Sequence, residues 1–197
     1  MAACSLSFAN LAATRAGRQV YLTFDDGPTP EVTEWVLQQL DSYDYKATFF
    51  IIGENADRYP KLIELLRKSP HSLGSHTYNH LNGWHTKDLN YLANFEKGHQ
   101  KVGTLLFRPP YGRIRRSQAR PILKTHRIIM WDIVSADFDT SLNGEACAHN
   151  VIRHLRPGSI LVFHDSHKAW SRLKVALPKV LQYLKENAYN AVPIEEN

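Results

Sequence analysis

Short, almost fully apolar runs alternate with segments of helical periodicity along the whole chain. "QVYLTF" precedes a helix predicted from Glu31 to Leu40, "ATFFII" precedes one near Lys61 to Lys68, and "HSLGSH" precedes one from Lys87 to Val102. "TLLF" then precedes "RRSQARPILK", "RIIMWDIV" precedes a helix near Gly144 to Leu155, and "SILVF" precedes a long helix from Lys168 to Glu186, with "NAVPI" as a last strand. Strands that are apolar on both faces belong in a parallel sheet covered by helices. The class is therefore α/β, and about seven β/α units predict a single barrel closed or nearly closed on itself, with an open doubly wound sheet as the competing topology.

At 197 residues and 43% hydrophobic content, the chain suits one domain with a sizeable core. Residues 1–18 read as an N-terminal segment and residues 19–197 as the domain. The start lacks the basic n-region of a secretory signal and leaves export undecided. Cys4 and Cys147 stand far apart in no metal-binding spacing, which excludes a disulfide framework or a thiolate zinc site. A formal charge of +5 is concentrated partly in Arg113, Arg115, Arg116, Arg120, Lys124 and Arg127, which read as a solvated helix face. No nucleic-acid motif accompanies them, no segment is long enough for a membrane span, and the chain is expected to be a monomer.

The chemistry-bearing residues follow the apolar runs. Asp25 and Asp26 come after the first, His76 and His80 after the third, Arg108 after the fourth, Asp137 after the fifth and His164 after the sixth. In either topology the site lies at the carboxyl ends of the strands, so these segments converge on one rim. The pair in "VYLTFDDGPTP" is unusual, because adjacent carboxylates repel and the Asp26-Gly27-Pro28 turn needs only one acid. "SHTYNH" places two imidazoles four residues apart, within reach of one ion. An aspartate from another strand end completes a set of two histidines and one carboxylate suited to Zn²⁺ or another divalent transition metal. Neighbouring side chains of an extended strand point apart, so one of the two aspartates can be a ligand and the other a general base, and a nearby cation offsets their repulsion.

"TFDDGP", "SHTYNH", "FRPPYGR", "SADF" and "SILVFHD" resemble, in order, the five motifs of polysaccharide deacetylases, the NodB-homology group known as carbohydrate esterase family 4. The resemblance covers about residues 19–192. It implies a distorted, incomplete (β/α) barrel, one divalent metal (zinc first, with cobalt or nickel as alternatives) and removal of acetyl groups from N-acetylglucosamine or O-acetylated sugars in polymers. Carried onto this chain, it makes Asp25 the catalytic base, Asp26, His76 and His80 the metal ligands, and Arg108 the partner that orients Asp25. The backbone N–H of Tyr111 would stabilise the oxyanion, and His164, kept charged by Asp137, would be the general acid. An acid and a base on one carbonyl predict a bell-shaped pH profile. Independently, two prolines before Tyr111 stiffen the backbone and allow its amide to be aimed without reorganisation. Tyr111, Phe138, Leu161 and Trp170 are the expected sugar and acetyl contacts.

The fourth motif departs from the family's Asp-x-x-Asp-Trp. Val134 replaces its first acid and Phe138 its tryptophan, and Asp132 is the nearest candidate to substitute for that acid. Leu161 and His164 are three residues apart, so a regular strand would point them to opposite sides. A carbohydrate-binding protein that has lost turnover is the alternative to an enzyme. A nucleic-acid binder rests on charge alone and predicts only weak, salt-dependent binding.

Overall fold

The computed structural model describes residues 17–196. The N-terminal segment assigned to residues 1–18 lies outside them apart from Gly17 and Arg18, and Arg18 already begins the first strand. Cys4 also lies outside; Cys147 is buried.

The elements follow in the predicted alternation: β1 (Arg18–Asp25), α1 (Val32–Asp41), β2 (Ala47–Ile51), α2 (Gly53–Arg58), α3 (Pro60–Lys68), β3 (Ser72–Ser75), α4 (Asp88–Val102), β4 (Leu106–Phe107), α5 (Arg116–Ile122), β5 (Arg127–Ile128), β6 (Ile133–Val134), α6 (Gly144–Ile152), β7 (Ile160–His164), α7 (Trp170–Glu186) and β8 (Tyr189–Ala191). The boundaries have local causes. Pro60 opens α3 at a position that needs no N–H donor, the Asn143 side chain caps α6 by accepting from Ala146 N, and Gly103 ends α4 in the left-handed region at φ 70°.

All strand pairs are parallel, in the order β5-β4-β3-β2-β1-β7-β6, with β8 added to the start of β1. The sheet curls into an incomplete barrel, as expected. "RIIMWDIV", expected as one strand, forms two, because β5 pairs with β4 at one end of the sheet and β6 pairs with β7 at the other. Residues 129–132 therefore carry the chain across the barrel's seam. The short helix α2 lies where no helix was predicted.

Strand periodicity sorts the side chains. Leu22, Phe24, Phe49, Leu161 and Phe163 face outward and pack with Val36, Leu40, Leu177 and Leu181 of the helices. Tyr21, Phe50, Leu106 and Ile129 face inward and fill the barrel's floor with Ile194. Gly74 admits Phe50 there, since a Cβ would stand 2.3 Å from that ring. The C-terminal tail closes the floor: Val192 N donates to Val20 O (3.0 Å), Ile194 N to Thr48 Oγ1 (2.9 Å) and Arg127 to the Glu195 carbonyl (2.5 Å). Ile194 is wholly buried, a burial worth about 1.5–3 kcal/mol. Above this floor the inward positions become polar: Thr23 and then Asp25 on β1, Arg108 after β4, and His164 on β7.

Candidate active site and metal centre

Asp25 is the last residue of β1, and its register partner on β7 is His164. Asp26 follows with φ 81°, a left-handed turn that swings its carboxylate to the same rim. His76, leaving β3, and His80 bring their Nε2 atoms to 3.8 and 3.2 Å from Asp26 Oδ1. One donor atom from each of the three lies within 4.8 Å of the others.

The local chemistry fits a cation. His76 Nδ1 lies 2.8 Å from the Arg108 carbonyl, which can only accept, so Nδ1 carries the proton and Nε2 presents its lone pair to the cluster. Burial drives the His76 pKa down to about 4 despite the charges of Asp25 and Asp26, so the ring is a neutral ligand at pH 7. Burial alone would raise the Asp26 carboxyl, but the neighbouring imidazoles of His80, His164 and His76 outweigh it and hold the group well below the usual carboxylate range. Asp26 Oδ1 is buried and, among the described residues, has no hydrogen-bond partner. A divalent ion would satisfy both this oxygen and the lone pairs turned toward it.

Asp25 is held by a different set of contacts. The fully buried Arg108 donates from one guanidinium nitrogen to Asp25 Oδ1 and Thr23 Oγ1, both at 2.7 Å. Its Nε donates to the Ile129 carbonyl (3.2 Å), and its plane lies 4.0 Å from the Phe50 ring centre. The seam-crossing segment thus helps fix the arginine that fixes Asp25.

Across the sheet, Asp137 accepts from His164 twice, from the ring Nδ1 (2.7 Å) and from the backbone N (2.9 Å). Burial pushes the His164 pKa down, yet the hydrogen bond and charge of Asp137, with Asp26 and Asp25 behind it, raise it to about 9. Nδ1 being committed to Asp137, Nε2 is the nitrogen left for the site.

Tyr111 sits at φ 59° in a 3₁₀ turn, Pro110–Gly112, with its ring centre 4.6 Å from that of His80 in a T-shaped contact. Phe138 meets the His164 ring edge-on at 5.2 Å. Both rings are exposed and form walls on either side of the cluster. Among the described residues, five of the eight non-glycine residues at positive φ belong to these loops, namely Asp26, Thr77, His80, Tyr111 and Ala136. Backbone strain is therefore concentrated where the polar groups converge.

Two expected contacts lie elsewhere. Leu161 is fully buried in the outward core, so it does not line a pocket beside His164; Val162, on the His164 face, occupies that side. Trp170 packs edge-on against Trp35, with ring centres 5.0 Å apart, in the helical layer. Asp132 does not replace the missing acid, since it accepts from Ile160 N (2.7 Å) and Ser159 Oγ (3.1 Å) at the opposite ends of the strands.

Several supporting residues escaped sequence reasoning. Thr23 was detectable, because it shares strand parity with Asp25. Arg172 was not: on a helix that reads as amphipathic it looks solvated, but it is buried, and it donates to the Asp137 carbonyl at 2.6 Å and to the Lys168 carbonyl. Asp165 packs against Gly27, where a Cβ would stand 2.1 Å from its carboxylate oxygen, and burial raises its pKa to about 8 despite the Thr33 hydrogen bond.

The polysaccharide deacetylase family model matches residues 12–128. A peptidoglycan-N-acetylglucosamine deacetylase of Bacillus cereus is 33% identical over 186 residues, which span 90% of this chain and 86% of that protein. A second Bacillus cereus protein of the same description is 31% identical over 85% of this chain, but this chain spans only 63% of its length. Among solved structures, a peptidoglycan N-acetylglucosamine deacetylase bound to 4-naphthalen-1-yl-N-oxidanyl-benzamide superimposes with a TM-score of 0.84 at 28% identity, covering 90% of this chain and 86% of that one.

Proposed function

The chain belongs to the polysaccharide deacetylase family, and from that premise we propose that residues 19–197 form a metal-dependent deacetylase. Its proposed substrate is the N-acetyl group of N-acetylglucosamine units in a polysaccharide, with peptidoglycan the leading candidate. The observation that carries this reading is the convergence of three separate groups on one rim: the Asp26, His76 and His80 cluster, the Asp25–Arg108 pair and the Asp137–His164 pair. A binding protein has no use for a metal set, a base and an acid together, which disfavours a lectin-like reading.

Asp26, His76 and His80 would hold the ion, zinc in our reading, although two imidazoles and a carboxylate also accept cobalt or nickel. Bound there, a divalent ion supplies Lewis acidity toward the acetyl carbonyl. Asp25, oriented by Arg108, takes a proton from the attacking water. The Tyr111 backbone N–H donates to the oxygen on which negative charge develops. His164, protonated at Nε2, gives its proton to the departing sugar amine. Tyr111 and Phe138 wall the sugar, and Val162 takes the position expected of Leu161 near the acetyl methyl. One chain supplies every group, consistent with a monomer.

The direct test is acetate release from N-acetylglucosamine oligomers and from peptidoglycan. Chelation is expected to abolish it, and Zn²⁺ or Co²⁺ to restore it. No release by fully metallated protein from any N- or O-acetylated glycan would overturn the enzyme reading.

The acid role makes a separate prediction about pH. In Asp137→Asn the charge and hydrogen bond that raise the His164 pKa to about 9 are weakened while burial, which lowers it, remains. The acid then loses its proton at lower pH, and the alkaline limb of kcat/KM is expected to move in the acid direction. An unmoved alkaline limb would remove His164 from that role. Because its folded pKa is raised, His164 also stabilises the fold below about pH 6.5, a contribution lost as pH rises through about 9.

A further inference from the structure

We propose that two cation–aromatic pairs flanking the site select an acetylated glycan that carries carboxylates over a neutral one. This rests on the deacetylase reading above and adds the charge class of its substrate.

Phe138 of one pair touches a site residue directly, and the other pair is joined to the site through the loops that carry Tyr111 and His80. On one side, Tyr111 touches the His80 ring, and Arg113, two residues further on, lies 5.2 Å over the ring of Trp84. Gly83 N donates to the Arg113 carbonyl (3.1 Å), tying the loop after the metal-binding histidines to the loop that carries Tyr111. On the other side, Phe138 touches His164, and the Lys168 ammonium lies 6.0 Å over the Phe138 ring. Trp84 is 53% exposed and Phe138 40%, so both side chains keep solvent-facing surface for a sugar.

The charges are also uncommitted. Neighbouring cations are spent within the protein: Arg115 pairs with Asp88, and Arg172 is consumed by backbone carbonyls. Among the described residues, Arg113 and Lys168 enter no ion pair. The carboxylate that senses Lys168 at longer range, Asp139, is already engaged by the Ser141 hydroxyl (2.7 Å) and amide (2.9 Å). An aromatic shelf with one free cation on each side suits a polymer whose sugars present apolar faces and whose substituents are carboxylates. A neutral glycan would use the rings and leave both cations unpaired.

The test compares three substrates of equal length: a neutral N-acetylglucosamine oligomer, an oligomer whose alternate sugars carry carboxylate-bearing ether groups, and the latter with its carboxylates methyl-esterified. Wild-type protein is expected to show the lowest KM for the free carboxylate form, with that advantage shrinking as salt rises. In the Arg113→Glu, Lys168→Glu double variant, KM for the carboxylate form should rise about tenfold relative to the esterified form, with kcat little changed, the order expected when two exposed ion pairs are lost and replaced by repulsion. Melting temperature and metal content are measured alongside to confirm an intact site. If KM shifts equally for the free and esterified forms, or if the wild type shows no preference between them, charge selection is overturned and the deacetylase reading stands. If the wild type releases acetate from none of the three, the deacetylase reading falls and this inference with it.

Discussion

Asp25→Asn is expected to reduce acetate release by about a thousandfold or more while leaving the metal bound. The substitution keeps an oxygen where Arg108 now donates, so the orientation of the side chain is largely preserved, but an amide cannot accept the proton of the attacking water. The metal set does not include Asp25, and its three donor atoms converge without it. A stability cost is also expected. Arg108 is wholly buried and Asp25 is its only carboxylate partner among the described residues, so removing the negative charge strands a buried cation at a cost of about 3 kcal/mol. The measurements are single-turnover acetate release, metal content and thermal melting on one preparation. Loss of metal equal to that of a ligand variant would overturn the division of labour between Asp25 and Asp26.

His80→Ala is expected to behave in the opposite way. It removes one of three ligands from a half-exposed position, so the metal-free fold should melt close to wild type while affinity for Zn²⁺ falls by at least about a hundredfold. Activity should disappear at stoichiometric metal and return in part when metal is in large excess, a rescue that Asp25→Asn cannot show. Retention of full stoichiometric metal by His80→Ala would remove the residue from the site. Together the two variants separate binding of the ion from the proton transfer beside it.

Much of this site can be found from spacing. The histidines of "SHTYNH" lie four apart because one loop must turn two rings toward one point, and that regularity survives in one dimension. The adjacent Asp25 and Asp26 are equally visible, since their repulsion needs an explanation. The supporting contacts are harder to see. Arg172 reads as one more cation on a long helix, and only the packing of α7 against the Asp137 loop buries it. Leu161 is expected at the pocket from the resemblance of "SILVFHD" to the family's fifth motif, but three steps along a strand reverse the face, and the side chain is buried in the outward core.

Local pattern settled the fold class, the broad alternation of strands and helices, and the identity of the groups gathered at the strand ends, because burial on both faces and turn chemistry act over a few residues. Strand partnership and side-chain commitment needed three dimensions. "RIIMWDIV" carries no mark of its division between opposite ends of the sheet, since that division is set by backbone partners on β4 and β7. The same holds for Asp132, whose carboxylate is committed to residues 159–160 at the far ends of the strands. Hydrogen bonds between distant segments are made only once the barrel has closed, and so they leave little trace in the order of residues that form them.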